Sequence, residues 1–155
     1  DERAVVAINK VLMDQDGSMR LEAFPLIDRI AERGDQRVIM SLTKNLRHVS
    51  PVVRSRALDA LTKVVERGDE DVIACVYALL EHNSTSMRRS ALEALAYVVE
   101  KGDKTAIDCI SNHLEDVNPD MRSCATRALS NVAYKSDESV LAAVIKRLEH
   151  SNTDV

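Results

Sequence analysis

The amino-acid sequence predicts an all-α solenoid, in which antiparallel helix pairs stack one after another. A 34-residue pattern occurs four times without a gap, after half a copy at the front. Within each copy, apolar residues recur at spacings of three and four, and a short Gly-Asp or Ser-Asp step separates two such stretches. A fixed period of this size means that one unit cannot bury its apolar side alone, so neighbouring units must stack.

Three aligned columns carry the period: an apolar residue followed by arginine, a glycine or serine followed by aspartate, and a leucine. Their members are Met19-Arg20, Val53-Arg54, Met87-Arg88 and Met121-Arg122; Gly34-Asp35, Gly68-Asp69, Gly102-Asp103 and Ser136-Asp137; and Leu12, Leu46, Leu80, Leu114 and Leu148. They divide one domain, 1–155, into a half repeat, 1–16, and full repeats 17–50, 51–84, 85–118 and 119–152. Because the chain opens and closes within the pattern, we expect a segment of a longer array.

Residues 51–84 show why each unit should be two helices. Pro51 suits a first helical turn, where its missing N–H has no partner to lose. An amphipathic stripe follows, and Gly68 then supplies the left-handed residue that ends a helix. Asp69 caps the second helix, whose own apolar stripe runs to Leu80.

Two columns predict how the helices pack. Alanine recurs in the first helices, where close approach leaves no room for a larger side chain: Ala23, Ala57, Ala91 and Ala125. Pro25 lies inside the first such helix, and the apolar stripe continues to Ile30, so we expect a kink at Pro25 and not an end. The open ends should expose apolar residues that allow weak end-to-end self-association: Val5, Ile8 and Leu12 at the front, with Val140 and Leu141 at the back.

Composition excludes several classes of protein. The chain has 21 Lys and Arg against 25 Asp and Glu, a net charge of −4, without a basic stripe. This balance weighs against nucleic acid as a partner. No apolar run is long enough to span a membrane. Three cysteines, an odd number, and no visible secretory signal favour a reducing compartment, so we expect an intracellular, cytoplasmic protein.

The first helices also carry a family signature. The run from Val53 to Leu61, echoed by 87–95 and 121–129, resembles the HEAT-repeat pattern Asp-x-x-Val-Arg-x-x-Ala-x-x-Ala-Leu. It is most similar to the short HEAT-like, or phycobilisome-lyase-like, repeats. Tetratricopeptide repeats share the period but need aromatic residues, which make up only 3% of this chain. The resemblance implies a right-handed, armadillo-like superhelix, with first helices on the convex face and second helices on the concave face.

One part of the family pattern is missing. HEAT repeats often pair the arginine with an aspartate just before the Val-Arg step, and here that position is irregular: Ser18, Val52, Ser86, Asp120 and Asp154. If the arginines are paired, we expect their carboxylates to come from elsewhere, with Asp35, Asp69 and Asp103 as candidates.

The sequence predicts no catalytic residue, metal ligand or cofactor. His48, His82 and His150 form one column, but stacked helices lie about 8–10 Å apart and a zinc ligand about 2 Å from its ion. We interpret the column as cations at the negative ends of helices. We interpret Cys75 and Cys109 as small residues that pack between helices. Cys124 takes a variable position of the first helices, which we expect to be exposed.

Resemblance to HEAT-type enzymes adds little support for catalysis. Deoxyhypusine hydroxylases carry His-Glu dyads after the conserved arginine, and the matching pairs here are Ser55-Arg56, Arg89-Ser90 and Ser123-Cys124. That reading is therefore excluded for these residues. HEAT-like DNA glycosylases use a basic, aromatic-bearing surface, whereas the repeat that contains Tyr77 is acidic. Bilin lyases share their repeat pattern with many proteins that are not enzymes.

The surface left for a partner is the outer side of the second helices. Positions there change freely between repeats, and the resemblance implies that they line the concave face. Either this face is merely solvated, or a helical or extended protein segment docks on it, with Met40 and Tyr77 as apolar anchors. The candidate contact residues are Met40, Thr43, Lys44, Arg47, Tyr77, Glu81, Asp108, Ser111, Asn112, Glu115 and Lys146.

These observations favour a non-catalytic protein-interaction scaffold or regulatory module that binds a protein or peptide. Two alternatives stay open: a docking segment of a larger enzyme whose catalytic residues lie elsewhere, and an enzyme of the bilin-lyase type.

Overall fold

The computed structural model describes residues 2–12, 14, 17–134 and 140. All regular structure in these residues is helical, which confirms the predicted fold class. The first helices are α2, α4, α6 and α8, and the second helices are α1, α3, α5 and α7, with α7 followed by a 3-10 helix. Their bounds are Glu2–Leu12 (α1), Gly17–Ile30 (α2), Gln36–Asn45 (α3), Pro51–Val64 (α4), Glu70–Leu80 (α5), Thr85–Val98 (α6), Lys104–Ser111 (α7), Asn112–Glu115 (3-10) and Pro119–Val132 (α8).

The helices form a linear stack. Each second helix packs closely against the first helix that follows it in the chain: α1 on α2, α3 on α4, α5 on α6, and α7 with its 3-10 helix on α8. Successive first helices also pack on each other, from α2 to α8. The packing therefore joins elements that are close in sequence, which is the pattern of a solenoid.

The Gly-Asp turns link one unit to the next. Gly34, Gly68 and Gly102 have φ between 82° and 86°, the left-handed conformation that glycine adopts without strain. The aspartate that follows each glycine caps the next helix, as predicted; Asp69, for example, accepts a hydrogen bond from the Val72 N–H at 3.1 Å. Each glycine N–H also donates to a valine carbonyl of the next first helix: Gly34 to Val64 (2.7 Å), Gly68 to Val98 (2.8 Å) and Gly102 to Val132 (2.7 Å).

The arginine column binds main-chain carbonyls. Arg88 donates from Nη1 to the carbonyls of His82 (2.9 Å) and Asn83 (3.0 Å), at the end of the preceding second helix. Arg122 contacts Asp116 and Val117 in the same way, at 2.9 and 3.1 Å.

Arg54 makes the same contacts and extends them into the next repeat. Its Nη1 donates to the carbonyls of His48 (2.8 Å) and Val49 (2.9 Å). Its Nε donates to Ser90 Oγ at 3.1 Å, and its Nη2 to the hydroxyl of Ser86. The residue is only 2% exposed. The guanidinium of Arg54 has five N–H donors in a planar fork, and this cluster of carbonyl and hydroxyl oxygens offers acceptors for several of them. A single carboxylate could not provide acceptors in so many directions.

The expectation that Asp35, Asp69 and Asp103 pair with the arginines is therefore wrong. These three carboxylates instead accept hydrogen bonds from the N–H groups of Arg37, Val72 and Ala106 at helix N-termini. The first turn of a helix has unpaired N–H groups close to the side chain of the preceding aspartate. The aspartate therefore caps its own helix and does not pair with an arginine of another turn.

One apolar core runs through the stack. The alanine column is buried in all four first helices, and the leucine column is buried at Leu12, Leu46, Leu80 and Leu114; Leu148 lies outside the described residues. Helix α2 continues through Pro25 to Ile30, as predicted.

The front of the molecule differs from the expectation. Val5, Ile8 and Leu12 are buried and not exposed, because α1 turns its apolar stripe onto α2 and α3. These three residues therefore offer no surface for end-to-end association. At the other end Val140 is partly buried against the core, and Leu141 lies outside the described residues.

Candidate functional site

The outermost stripe of the second helices forms a surface that we call the second-helix face. It consists of four columns, at spacings of three, four and three, along the second helices and the turns that follow them. The described members are all exposed: Arg3, Val6 and Lys10; Arg37, Met40, Lys44 and Arg47; Asp71, Ala74, Ala78 and Glu81; and Thr105, Asp108, Asn112 and Glu115. Seven of the eleven candidate contact residues belong to this stripe, and Met40 is 58% exposed.

The column of Thr43, Tyr77 and Ser111 lies deeper. Thr43 is only 7% exposed, and its hydroxyl donates to the Ile39 carbonyl at 2.8 Å, so it is not available as a contact residue. Tyr77 is half-buried against the core, where burial and then the Asp103 carboxylate raise the pKa of its hydroxyl to about 12. Ser111 is also half-buried. A partner could touch the edge of Tyr77 but not Thr43. Lys146 lies outside the described residues.

Charge on the second-helix face is divided between its two halves. The half formed by α1 and α3 carries Arg3, Lys10, Arg37, Lys44 and Arg47, and the half formed by α5, α7 and the 3-10 helix carries Asp71, Glu81, Asp108 and Glu115. Arg37 lies 3.5 Å from Asp35, which offsets part of its charge. Within the acidic half, Ala74 and Ala78 expose short side chains on α5, so a partner's backbone can approach this helix closely.

Two cavities open on the opposite side, between first helices. One, of about 310 Å³, is lined by residues of α4, α6 and α8, among them Asp59, Tyr97 and Cys124; an ion pair between Arg127 and Glu93, at 2.9 Å, crosses it. The second, of about 420 Å³, lies between α2 and α4. Both cavities lie on the side of the first helices, which the resemblance implies to be the convex face.

Cys124 is buried, so the expectation that it is exposed is wrong. The residue is 2% exposed, and its thiol lies 3.6 Å from the Arg89 carbonyl oxygen. Helix α8 packs closely on α6 at this point, so a column that is exposed at Glu22 and Arg56 becomes interior. Burial, and then the Glu93 carboxylate, raise the pKa of the Cys124 thiol, which disfavours a thiolate nucleophile.

The histidine column has a structural role other than the one expected. His48 Nδ1 accepts a hydrogen bond from the Ser50 N–H at 3.1 Å, and His82 Nδ1 accepts from Ser84 at 2.9 Å. A nitrogen that accepts must be unprotonated, so the contact of His48 requires the neutral imidazole. Asp116, in the same column, accepts from Asn118 at 2.8 Å. The interpretation of His48 as a cation at a helix end is therefore wrong; His82 makes a turn contact of the same geometry, and His150 lies outside the described residues.

Burial, followed by the charges of Arg20 and Arg54, lowers the pKa of His48 below its ordinary value of 6.5. Among the described residues, no three His, Cys, Asp or Glu side chains group closely enough to hold a metal ion. Within the same residues, no helix has the length and apolar character needed to cross a membrane.

Comparison with known families agrees with this architecture. The family model for HEAT repeats matches residues 5–96 and again residues 76–155. No curated protein gives a match to the chain.

Three solved structures with a similar fold are two engineered proteins and a designed armadillo repeat protein. Two engineered proteins share 20% identity, with TM-scores of 0.56 and 0.52; the matches cover 92% of this chain and 67% and 69% of theirs. A designed armadillo repeat protein in complex with the peptide (KR)4 shares 17% identity over 91% of this chain and 69% of that chain, with a TM-score of 0.51. At these identities the similarity establishes the α-solenoid fold.

Proposed function

Because the chain belongs to the HEAT-repeat family, we propose that it is a non-catalytic scaffold or regulatory module, which binds a protein or peptide on its second-helix face. The single observation that carries this proposal is the face itself. Its fifteen described members are all exposed, although they change from repeat to repeat in charge, size and polarity. The neighbouring columns that stack the helices stay apolar and buried.

The kind of ligand is supported by two further observations. The designed armadillo repeat protein holds a peptide in its structure, so a solenoid of this general shape can present a peptide-binding surface. On the present chain, Met40 exposes an apolar side chain among charged neighbours, and the half-buried edge of Tyr77 lies on the next second helix. An apolar anchor surrounded by charge is a common form of protein-binding site.

Selection of peptides provides a direct test. The immobilised protein should retain binders from a library of random 12-residue peptides displayed on phage. Their affinity should fall at least about tenfold for the Met40→Ala/Tyr77→Ala variant, because apolar anchors dominate binding energy. The matched control is Val49→Ala/Val117→Ala, which removes two exposed apolar side chains in turns outside the face.

Tyr77 also packs against the core, so its replacement lowers stability as well as removing a contact. A second variant therefore separates loss of binding from loss of folding. Met40→Glu changes a position that is more than half exposed, so its melting temperature should equal that of the natural chain while binding is lost. Binders that tolerate Met40→Glu and the double variant, or a library that yields no binder, would count against the proposal.

A further inference from the structure

The charge division of the second-helix face points to a particular partner chemistry, and this inference rests on the proposed function of that face. On the stripe that faces solvent, five basic side chains lie on α1, on α3 and in the turn after α3. Four acidic ones lie on α5, just after it, on α7 and on the 3-10 helix. The two signs do not alternate, so the face carries a positive half and a negative half. A partner of one sign is attracted by one half and repelled by the other.

We infer that the face binds a polypeptide segment with an acidic block and a basic block, laid across the second helices. The acidic block lies over α1 and α3, and the basic block lies over α5 and α7. Adjacent helices are about 8–10 Å apart, so the centres of the two halves are about 16–20 Å apart. An extended chain rises about 3.3 Å per residue, so about five or six residues separate the centres of the two blocks.

The shape of the face favours a short segment over a folded partner. Its helices have 8 to 11 residues and are therefore at most about 16 Å long, and four of them span about 24–30 Å. That footprint of about 400–500 Å² is smaller than the roughly 800 Å² that each partner buries in a standard protein–protein interface. A second copy of this chain would match the charge division but would have too little area for a stable dimer.

The centre of the face suits an extended backbone. Ala74 and Ala78 are exposed on α5, between the longer side chains of Lys44 on one side and Asp108 on the other. The segment can therefore approach the face closely where it passes from α3 onto α5, while its charged ends meet longer side chains. Met40, at the edge of the basic half, offers an apolar contact to the middle of the segment.

Synthetic peptides test the inference because they can carry the charge pattern on its own. The probe has three glutamates, a spacer of about three uncharged residues and three lysines, so that the block centres are about 20 Å apart. Its N-terminus is acetylated and its C-terminus amidated so that no terminal charge interferes. The control peptide has the same composition with alternating glutamate and lysine. Fluorescence anisotropy at low salt should show binding of the block peptide at least about tenfold tighter than that of the control, and added salt should weaken it.

Charge exchange on the protein gives the sharper result. Lys44→Glu/Arg47→Glu makes the face predominantly acidic, and Glu81→Lys/Glu115→Lys makes it predominantly basic. Each should weaken binding of the block peptide at least about tenfold. Exchange of all nine charged residues of the face, basic to glutamate and acidic to lysine, reverses the two halves. This variant should bind the block peptide as the natural chain does, because the peptide can turn around. All nine positions are exposed, and circular dichroism checks that every variant folds.

Each outcome has a defined meaning. Equal binding of the block and alternating peptides, or failure of the ninefold exchange to restore binding, overturns the inference. Salt-dependent self-association in sedimentation equilibrium that both exchanges abolish would identify a second copy as the occupant, and would also overturn it. Library binders that need Met40 but carry no charge blocks would refute the inference while leaving the proposed function intact. A library without binders would instead refute the proposed function.

Discussion

His48 illustrates how much the role of a residue depends on which atom faces its neighbour. Its Nδ1 accepts the Ser50 N–H, and Asp116 does the same for Asn118 two repeats later. The column therefore requires an acceptor one residue before a turn, and not a cation. Protonation of His48 removes the acceptor and places a charge near Arg20 and Arg54. Both effects disfavour the folded state.

The stability of the protein should accordingly fall as the pH falls below about 6.5. The folded state lowers the pKa of His48, so the unfolded chain binds a proton first and the free energy of unfolding rises with pH. The contribution is complete above pH 6.5 and is lost as the pH falls through the lowered pKa of the folded state. His48→Asn keeps an acceptor that does not titrate and should flatten this dependence. Urea denaturation between about pH 7.5 and 5.5 measures it; an unchanged slope in the variant would contradict the assignment.

The histidine and arginine columns also show where inference from the sequence ends. The pattern located both columns correctly, because residues one period apart occupy the same place in the stack. It could not identify their partners, because these are largely main-chain groups at helix ends. Every residue has such groups, so no residue type in the sequence indicates them. Cys124 is a similar case: its burial depends on how closely α8 approaches α6, a distance that no single column encodes.

At the scale of the element, the glycine turns fix where each second helix begins. A Cβ at Gly68 would lie 3.4 Å from the end of the flexible Glu100 side chain, whereas a Cβ at Gly102 would clash with the Tyr134 ring. We expect Gly68→Ala to cost about 1–2 kcal/mol for its left-handed backbone alone. Gly102→Ala carries the same backbone cost and must also displace Tyr134, so it should cost more.

Thermal or urea denaturation of the two glycine variants provides the comparison. The matched control measures Gly102→Ala in a chain that already carries Tyr134→Ala. Without the ring, Gly102→Ala should lower the free energy of unfolding by the same amount as Gly68→Ala, because only the backbone cost remains. Equal costs for Gly68→Ala and Gly102→Ala without this change would show that the ring yields freely.

The junction between repeats depends more on Arg54 than on its equivalents. Arg54 is buried and reaches Ser86 and Ser90 of the next repeat, whereas the contacts of Arg88 are to His82, Asn83 and Thr85 nearby. Lysine keeps the charge but cannot form the fork. Arg54→Lys should therefore cost about 2–3 kcal/mol, since hydrogen bonds to charged groups are worth about 1.5–3 kcal/mol. Arg88→Lys is the matched control and should cost about 1 kcal/mol or less.

The second-helix face shows a comparable division between what was and was not predictable. Variation between repeats correctly identified the exposed columns of Met40, Lys44 and Arg47, because internal copies reveal which positions packing leaves free. The same variation also selected Thr43, which is buried. Threonine can satisfy its hydroxyl on its own helix, as it does here on the Ile39 carbonyl, so a polar residue at a variable position need not face water.

For the whole molecule, a linear stack predicts that energetic effects stay between neighbours. Ile39 in α3 and Ile110 in α7 are both buried, but their helices do not pack on each other. Ile39→Val and Ile110→Val should each cost about 0.5–1.5 kcal/mol and add within about 0.5 kcal/mol. Arg54→Lys and Ser90→Ala remove the two ends of one 3.1 Å hydrogen bond and should be non-additive by at least about 0.5 kcal/mol. Double-mutant cycles from urea denaturation measure both couplings. Strong coupling between Ile39 and Ile110, comparable to that between Arg54 and Ser90, would show that the repeats act as one closed core, and not as a chain of neighbouring contacts.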